Sequence, residues 1–141
     1  MASTDTKRDA IRGVPMFARL GDRQLEEIGR LADEVDVAAG HVLMREGAIG
    51  EEFFIILAGQ VEVQRGGTVI RTLGPGHFLG EISLIDHGPR SATATCISAC
   101  RLLVLAHREF NTLLADFPDI ERQVLVALAE RVRTLDPQAV H

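Results

Sequence analysis

Residues 52–81, EFFIILAGQVEVQRGGTVIRTLGPGHFLGE, decide the fold, because short apolar runs alternate there with glycine-containing breaks. Within this stretch QVEVQ has a period of two, which places Val61 and Val63 on the inward face of a strand. Similar runs extend over residues 36–105, and the nearby run EVDVA predicts that Val35 and Val37 face inward. Short strands with turn signals every ~8–12 residues are typical of an antiparallel barrel or double-sheet roll.

Helical periodicity is found on both sides of this region. Before it, residues 7–35 predict helices, with Asp22 as the N-cap of one of them. After it come a short helix and a longer one, and Pro118 suits the first turn of the longer helix. An apolar seam on the longer helix is expected to pack on the parent domain, with a dimer contact as the alternative. The seam consists of Leu125, Leu128, Val132 and Leu135.

These patterns predict an α+β fold that is mainly β: an antiparallel, jelly-roll-like β-roll with helices at both ends. A length of 141 residues corresponds to one domain. We therefore expect a single domain over residues 1–141, divided into an N-terminal helical segment (1–35), the β-roll (36–106) and C-terminal helices (107–136).

The composition disfavours several classes of protein. A formal net charge of −5 without a Lys/Arg stripe disfavours a nucleic-acid partner. There is no apolar run of ~18 residues, and the polar start does not resemble a secretory leader, so we expect a cytoplasmic protein without a membrane partner. Cys96 and Cys100, if they share one extended strand, would have Cα atoms about 13 Å apart, which predicts free thiols. His41 and His77 are isolated, so no metal site is expected.

Residues 80–94, GEISLIDHGPRSATA, place Glu81 in an apolar run and Arg90 at the start of a stretch of small residues. Burial of Glu81 or Arg90 is costly unless each finds a partner, so they either pair with each other or bind a ligand. Gly80 is predicted to open a short helix, whose unpaired N–H groups accept an anion. The guanidinium of Arg90 adds the second part of a phosphate site. Glu81 can accept hydrogen bonds from a sugar hydroxyl, and phosphate and ribose together indicate a nucleotide.

Two stretches carry a resemblance to a known family. Residues 76–95, GHFLGEISLIDHGPRSATAT, resemble the phosphate-binding cassette of the cyclic nucleotide-binding domain family, which includes catabolite-activator-like and bacterial channel domains. The cassette itself would occupy residues 79–93. Residues 39–63, AGHVLMREGAIGEEFFIILAGQVEV, are similar to the family's opening strands. The resemblance covers roughly residues 10–135.

The matching positions imply a set of ligand-binding residues, namely Gly80, Glu81, Ile82, Ser83, Arg90, Ser91 and Arg131. Arg90 matches the residue that grips the exocyclic phosphate oxygens. Glu81 matches the acid that binds the ribose 2′-hydroxyl. Gly80 and Ser83 match positions whose backbone groups contact ribose and phosphate.

Two further positions concern the base. Ser91 matches the small residue that contacts the phosphate or the base, and a serine there favours cAMP over cGMP. Arg131 matches an arginine that lies over the purine in some bacterial channel domains. The chain has no Trp and no Tyr, so an aromatic lid of that kind is absent.

The resemblance implies a stand-alone sensor that is not an enzyme, needs no cofactor and takes cAMP or cGMP as its ligand. Closure of the C-terminal helix over the base would be the signal. The residues after 135 are too few for a helix-turn-helix domain, so the output is expected to act through a separate effector protein or a homodimer formed by that helix. The alternative is a protein-interaction module that binds no nucleotide, with Glu81 and Arg90 as a structural ion pair.

Overall fold

Helices at both ends flank two antiparallel sheets in the computed structural model, which describes residues 4–81, 84 and 87–135. The first helices are α1 (Thr4–Arg12), a 3₁₀ turn (Pro15–Phe17) and α2 (Asp22–Leu31). The strands are β1 (Asp33–Val37), β2 (Val42–Met44), β3 (Glu52–Ala58), β4 (Val61–Arg65), β5 (Thr68–Leu73), β6 (Phe78–Leu79), β7 (Thr93–Cys96) and β8 (Cys100–Ala106). The chain continues into α3 (His107–Asp116) and α4 (Pro118–Leu135).

Each sheet has four strands, in the orders β1-β8-β3-β6 and β2-β7-β4-β5. All the strand pairs are antiparallel, which confirms the predicted α+β fold with a β-roll between N-terminal and C-terminal helices. The short strand β6 pairs with β3 in a register that joins Phe54 to Leu79. This register brings the residue after β6, Gly80, to the beginning of β3.

The continuous apolar run of β3 serves two cores, because successive side chains of a strand point to opposite faces. Phe53 and Ile55 face a cluster shared with the helices, whereas Phe54 and Ile56 face a cluster between the two sheets. Val61 is fully buried in the second cluster and Val63 packs against it, as the period of two predicts.

The prediction for Val35 and Val37 is confirmed for the face but not for burial, because Val37 packs against the cluster between the sheets while Val35 is 39% exposed. In the register of β1 and β8, Val35 lies opposite Leu102, which is buried between the sheets. Val35 is thus on the expected face, but β1 is an edge strand. An edge position leaves the side chain incompletely covered.

The predicted cap of α2 is displaced by one residue. Gly21 is the N-cap, and its N–H donates to Gln24 Oε1 (3.1 Å). Asp22 is the first helical residue and forms an ion pair with Arg12 of α1. The acidic side chain therefore ties two helices together instead of capping one.

The prediction that the apolar seam of α4 packs on the domain is wrong for most of the seam. Ile120 and Val124 are buried in the helix cluster and Leu128 packs against it, but Leu125 and Val132 are 56% and 52% exposed. The side chain of Leu135 lies outside the described residues. The buried face of α4 is rotated by about one residue from the seam, because Phe117 and Ile120 anchor the start of the helix in the core.

The two cysteines lie on different strands, so the assumption that they share one strand is wrong. Cys96 ends β7 and Cys100 begins β8, and both are buried free thiols. Burial is the main cause that raises the pKa of Cys96 to about 12, and a hydrogen bond with Cys100 is the second. Cys96 is therefore an inert thiol at neutral pH.

None of the helices in the described part of the chain combines the length and the apolar character needed to span a bilayer.

Candidate functional site

Gly80 forms a sharp turn between β6 and a helical residue, Glu81. Its φ of +98° lies in the left-handed region, which residues other than glycine rarely adopt. A Cβ at this position would lie 2.7 Å from the carbonyl oxygen of Glu52 and 3.0 Å from Arg90 Nη1. Glycine is required here by both conformation and space.

Arg90 lies across the ends of β3 and β6. Its Nη1 donates to the carbonyl oxygen of Gly80 (2.9 Å) and its Nη2 to that of Glu52 (2.7 Å). The guanidinium carbon is 5.9 Å from the ring centroid of Phe54. The side chain is therefore held in a defined orientation with its head at the Gly80 turn.

Among the described residues, Glu81 (0% exposed) and Arg90 (6%) are the buried ones with charged side chains. Burial lowers the pKa of Arg90, while the negative charges of Glu52 and Glu81 raise it. A guanidinium remains protonated in proteins. The turn thus combines a buried cation and a buried acid beside a helix start, which suits a ligand that carries both an anion and a hydroxyl group.

The turn between β2 and β3 holds Arg90 from the other side. The N–H of Gly47 donates to the carbonyl oxygen of Arg90 (2.9 Å), and the N–H of Arg90 donates to the carbonyl oxygen of Ala48 (2.7 Å). A β-bridge between Ile49 and Pro89 lies next to these bonds. In a separate contact, Gly50 lies against the Arg90 side chain.

Sequence reasoning did not identify this turn as part of the site. The side chains of Glu46, Glu51 and Glu52 are exposed, but the backbone of the turn forms part of the Arg90 environment. Gly47 and Gly50, three residues apart, were the available signal. Nothing in the sequence alone links them to a side chain 40 residues away.

The structure brings together Gly80, Glu81 and Arg90 from the set expected by resemblance. Ser91 follows Arg90, is half-buried, and accepts a hydrogen bond from Arg65 Nε at its carbonyl oxygen (3.1 Å). Two other members of the set, Ile82 and Ser83, lie outside the described residues.

The remaining member of the set, Arg131, belongs to α4, but its side chain is outside the described part. A cavity of about 500 Å³ lies between the β-roll and this helix. It is lined by Ile70, Arg71, Gly76, His77, Phe78, Ala127 and Glu130. Its volume falls within the range of small-molecule sites, about 300–1,000 Å³. The cavity therefore has room for part of a ligand at the inner side of α4.

Comparison with known proteins adds a family assignment to this geometry. Residues 34–117 match the family described as Cyclic nucleotide-binding domain. A cyclic nucleotide-gated potassium channel of Rhizobium etli is 36% identical over 121 residues, which cover 86% of this chain and 34% of the channel. A CRP-like cAMP-activated global transcriptional regulator of Mycobacterium tuberculosis is 34% identical over 104 residues, covering 70% of this chain and 46% of the regulator.

A solved structure shares the fold over most of the chain. The catabolite activator protein of Thermus thermophilus superposes with a TM-score of 0.78 and 27% identity, covering 88% of this chain and 61% of that protein. The chain spans about a third of the Rhizobium channel and just under half of the Mycobacterium regulator.

Proposed function

Because the chain belongs to the cyclic nucleotide-binding domain family, we propose that it binds a cyclic nucleotide monophosphate, with cAMP preferred over cGMP. The observation that carries this proposal is the burial of both Arg90 and Glu81 at the Gly80 turn. The proposal takes residues 1–141 as one domain.

The phosphate would bind to Arg90 and to backbone groups of Gly80, Ile82 and Ser83, as the resemblance implies. A bidentate guanidinium suits phosphate oxygens in geometry as well as in charge. Glu81 repels a phosphate but accepts a hydrogen bond from a ribose 2′-hydroxyl. Arg90 would therefore interact with the phosphate, and Glu81 with the ribose.

The base would lie between the β-roll and α4, where the cavity of about 500 Å³ supports its placement. Ser91 and Arg131 are the proposed base-side residues, and the serine favours cAMP. Closure of α4 over the base would then be the signal. A ligand shifts this equilibrium only to the extent that it binds the closed form better than the open form.

We propose a sensor with no catalytic activity of its own. A cytoplasmic location agrees with two buried free thiols, since disulfides are rare in reducing compartments. The name of the Mycobacterium relative, which records activation by cAMP, supports the choice of nucleotide.

A thermal shift experiment tests the proposal directly. A ligand at 100 times its dissociation constant stabilises the native state by about 2.7 kcal/mol, which raises Tm by about 5–10 °C for a chain of this size. We expect this rise with cAMP, and a smaller one with cGMP at equal concentration. No rise with either nucleotide, at millimolar concentration, would remove the proposed function.

A second candidate function is favoured by the exposed apolar face of α4. Leu125, Val126 and Val132 are each about half exposed, and they would be covered by a separate effector or by a second copy of the chain. In this alternative Glu81 and Arg90 stabilise the turn without a ligand. Self-association in sedimentation, together with no thermal response to nucleotides, would favour it over the sensor.

A further inference from the structure

Gly50 leaves the space that the Arg90 side chain occupies. A Cβ built at Gly50 would lie 1.9 Å from Arg90 Nε, 2.2 Å from Cζ and 2.5 Å from Cδ. Carbon and nitrogen atoms that are not bonded to each other do not approach this closely, so an alanine at position 50 and the present Arg90 conformation exclude each other.

The requirement at Gly50 concerns space and not backbone conformation. Gly50 is not among the glycines with a positive φ, so other residues can adopt its backbone. Gly47, in the same turn, is the opposite case, because its φ is +84° and a Cβ there would meet nothing within 4 Å. The two glycines of the turn therefore have different roles.

The backbone around Gly50 has little freedom to move away. The carbonyl oxygen of Ala48 accepts a hydrogen bond from the backbone N–H of Arg90, and the carbonyl oxygen of Glu52 accepts one from Arg90 Nη2. The turn is thus held by the Arg90 backbone two residues before Gly50, and two residues after it Glu52 is paired with Ala106 in the sheet. A side chain at position 50 would displace the guanidinium more easily than the turn.

We propose that Gly50 is a positioning residue for Arg90: by lacking a side chain, it lets the guanidinium reach the Gly80 turn. For nucleotide binding this role rests on the proposed function, because Arg90 is the proposed phosphate ligand. Gly50→Ala is then expected to weaken cAMP binding by roughly 10- to 100-fold in titration calorimetry, from the usual range for overpacking.

A matched control is available within the chain. Gly21 has a φ of −78°, and the nearest atom to its Cβ position is Gln24 Oε1 at 4.0 Å. Gly21→Ala makes the same chemical change without a clash and should leave cAMP affinity unchanged. A loss of affinity in both variants would overturn the assignment of the effect to Arg90.

A double-mutant cycle, measured as Tm without ligand, separates this inference from the proposed function. Gly50→Ala is expected to lower Tm in the wild-type background but not in the Arg90→Ala background, where the clash is absent. This holds even if Gly50→Ala alone fails to fold, because the double variant should then fold as Arg90→Ala does. Equal losses of Tm in both backgrounds, or no loss in either, would overturn the inference.

A spectroscopic readout reports the guanidinium itself. The Nε–H signal of Arg90, identified as the one that Arg90→Ala removes, should shift in ligand-free Gly50→Ala and stay in place in Gly21→Ala. An unshifted signal in Gly50→Ala would overturn the positioning role. If the wild type binds neither nucleotide, the proposed function fails while this signal and the Tm cycle still decide the role of Gly50.

Discussion

Replacement of Arg90 by alanine is expected to remove most of the affinity for a cyclic nucleotide. Arg90 is only 6% exposed, so its contact with a phosphate would form away from bulk water. Hydrogen bonds to charged groups contribute about 1.5–3 kcal/mol, and the loss of one partner of a buried charged pair costs about 2–5 kcal/mol. At about 1.4 kcal/mol per decade, the affinity should fall by about 30- to 1000-fold or more.

Titration calorimetry with cAMP measures this loss, and circular dichroism checks that the variant is folded. Arg101→Ala is the matched control, because it removes the same charge from an exposed arginine of β8 that pairs with Asp36. The control should bind cAMP as the wild type does. A comparable loss in Arg101→Ala would attribute the effect to net charge and not to the site.

The phosphate role of Arg90 has a clear point of failure. If folded Arg90→Ala binds cAMP within threefold of the wild type, the guanidinium contributes less than about 0.7 kcal/mol, which is too little for a buried phosphate contact. The buried charge would then have a structural role at the turn.

Four further outcomes are expected. Glu81→Gln should weaken cAMP binding about tenfold or more but leave the affinity for 2′-deoxy-cAMP unchanged, and equal losses in calorimetry would exclude a bond to the 2′-hydroxyl. Arg131→Ala should cost less than Arg90→Ala and affect mainly one base, so equal losses for cAMP and cGMP would remove its role. Because the pKa of Cys96 is raised, the contribution of its thiol to the free energy of unfolding is complete below about pH 9 and is lost as pH rises toward 12. Tm of the wild type should therefore fall between pH 8 and 10.5, and Cys96→Ala should make this fall less steep. In urea unfolding, Ile120→Ala should cost about 2–5 kcal/mol and Leu125→Ala less than about 0.5 kcal/mol, and a reversed order would contradict the packing of α4.

The sequence was sufficient for the fold because the roll is encoded locally. The period of two predicts the inward face of β4, where Val61 is buried and Val63 packs against the same cluster. The Gly80 turn was also accessible from sequence, since a glycine between a strand and an acidic helix start has few other uses. Arg90 could be singled out because it is a charged residue at the start of a run of small residues.

Non-local packing set the limit of what the sequence could predict. Val35 has the right periodicity, but only the sheet order shows that it lies on an edge strand. Leu125 belongs to a regular apolar seam, but the anchoring of Ile120 in the core rotates that seam toward solvent. The role of Gly50 is entirely a matter of distance to a residue far along the chain.

The burial of Glu81 and Arg90 favours a ligand over a purely structural role, for an energetic reason. Replacing a buried ion pair by apolar residues of similar volume is often neutral or stabilising by about 1–4 kcal/mol, so stability alone does not require charges in this position. Binding gains from them, since immobilising a long side chain costs about 0.5–1.5 kcal/mol when it happens during association. The carbonyl oxygens of Gly80 and Glu52 already hold Arg90 in the folded chain, so its side chain does not have to be immobilised during binding. Under the proposed function, a small anion would meet a guanidinium that is already ordered and mostly shielded from water, so that one contact would contribute strongly to affinity.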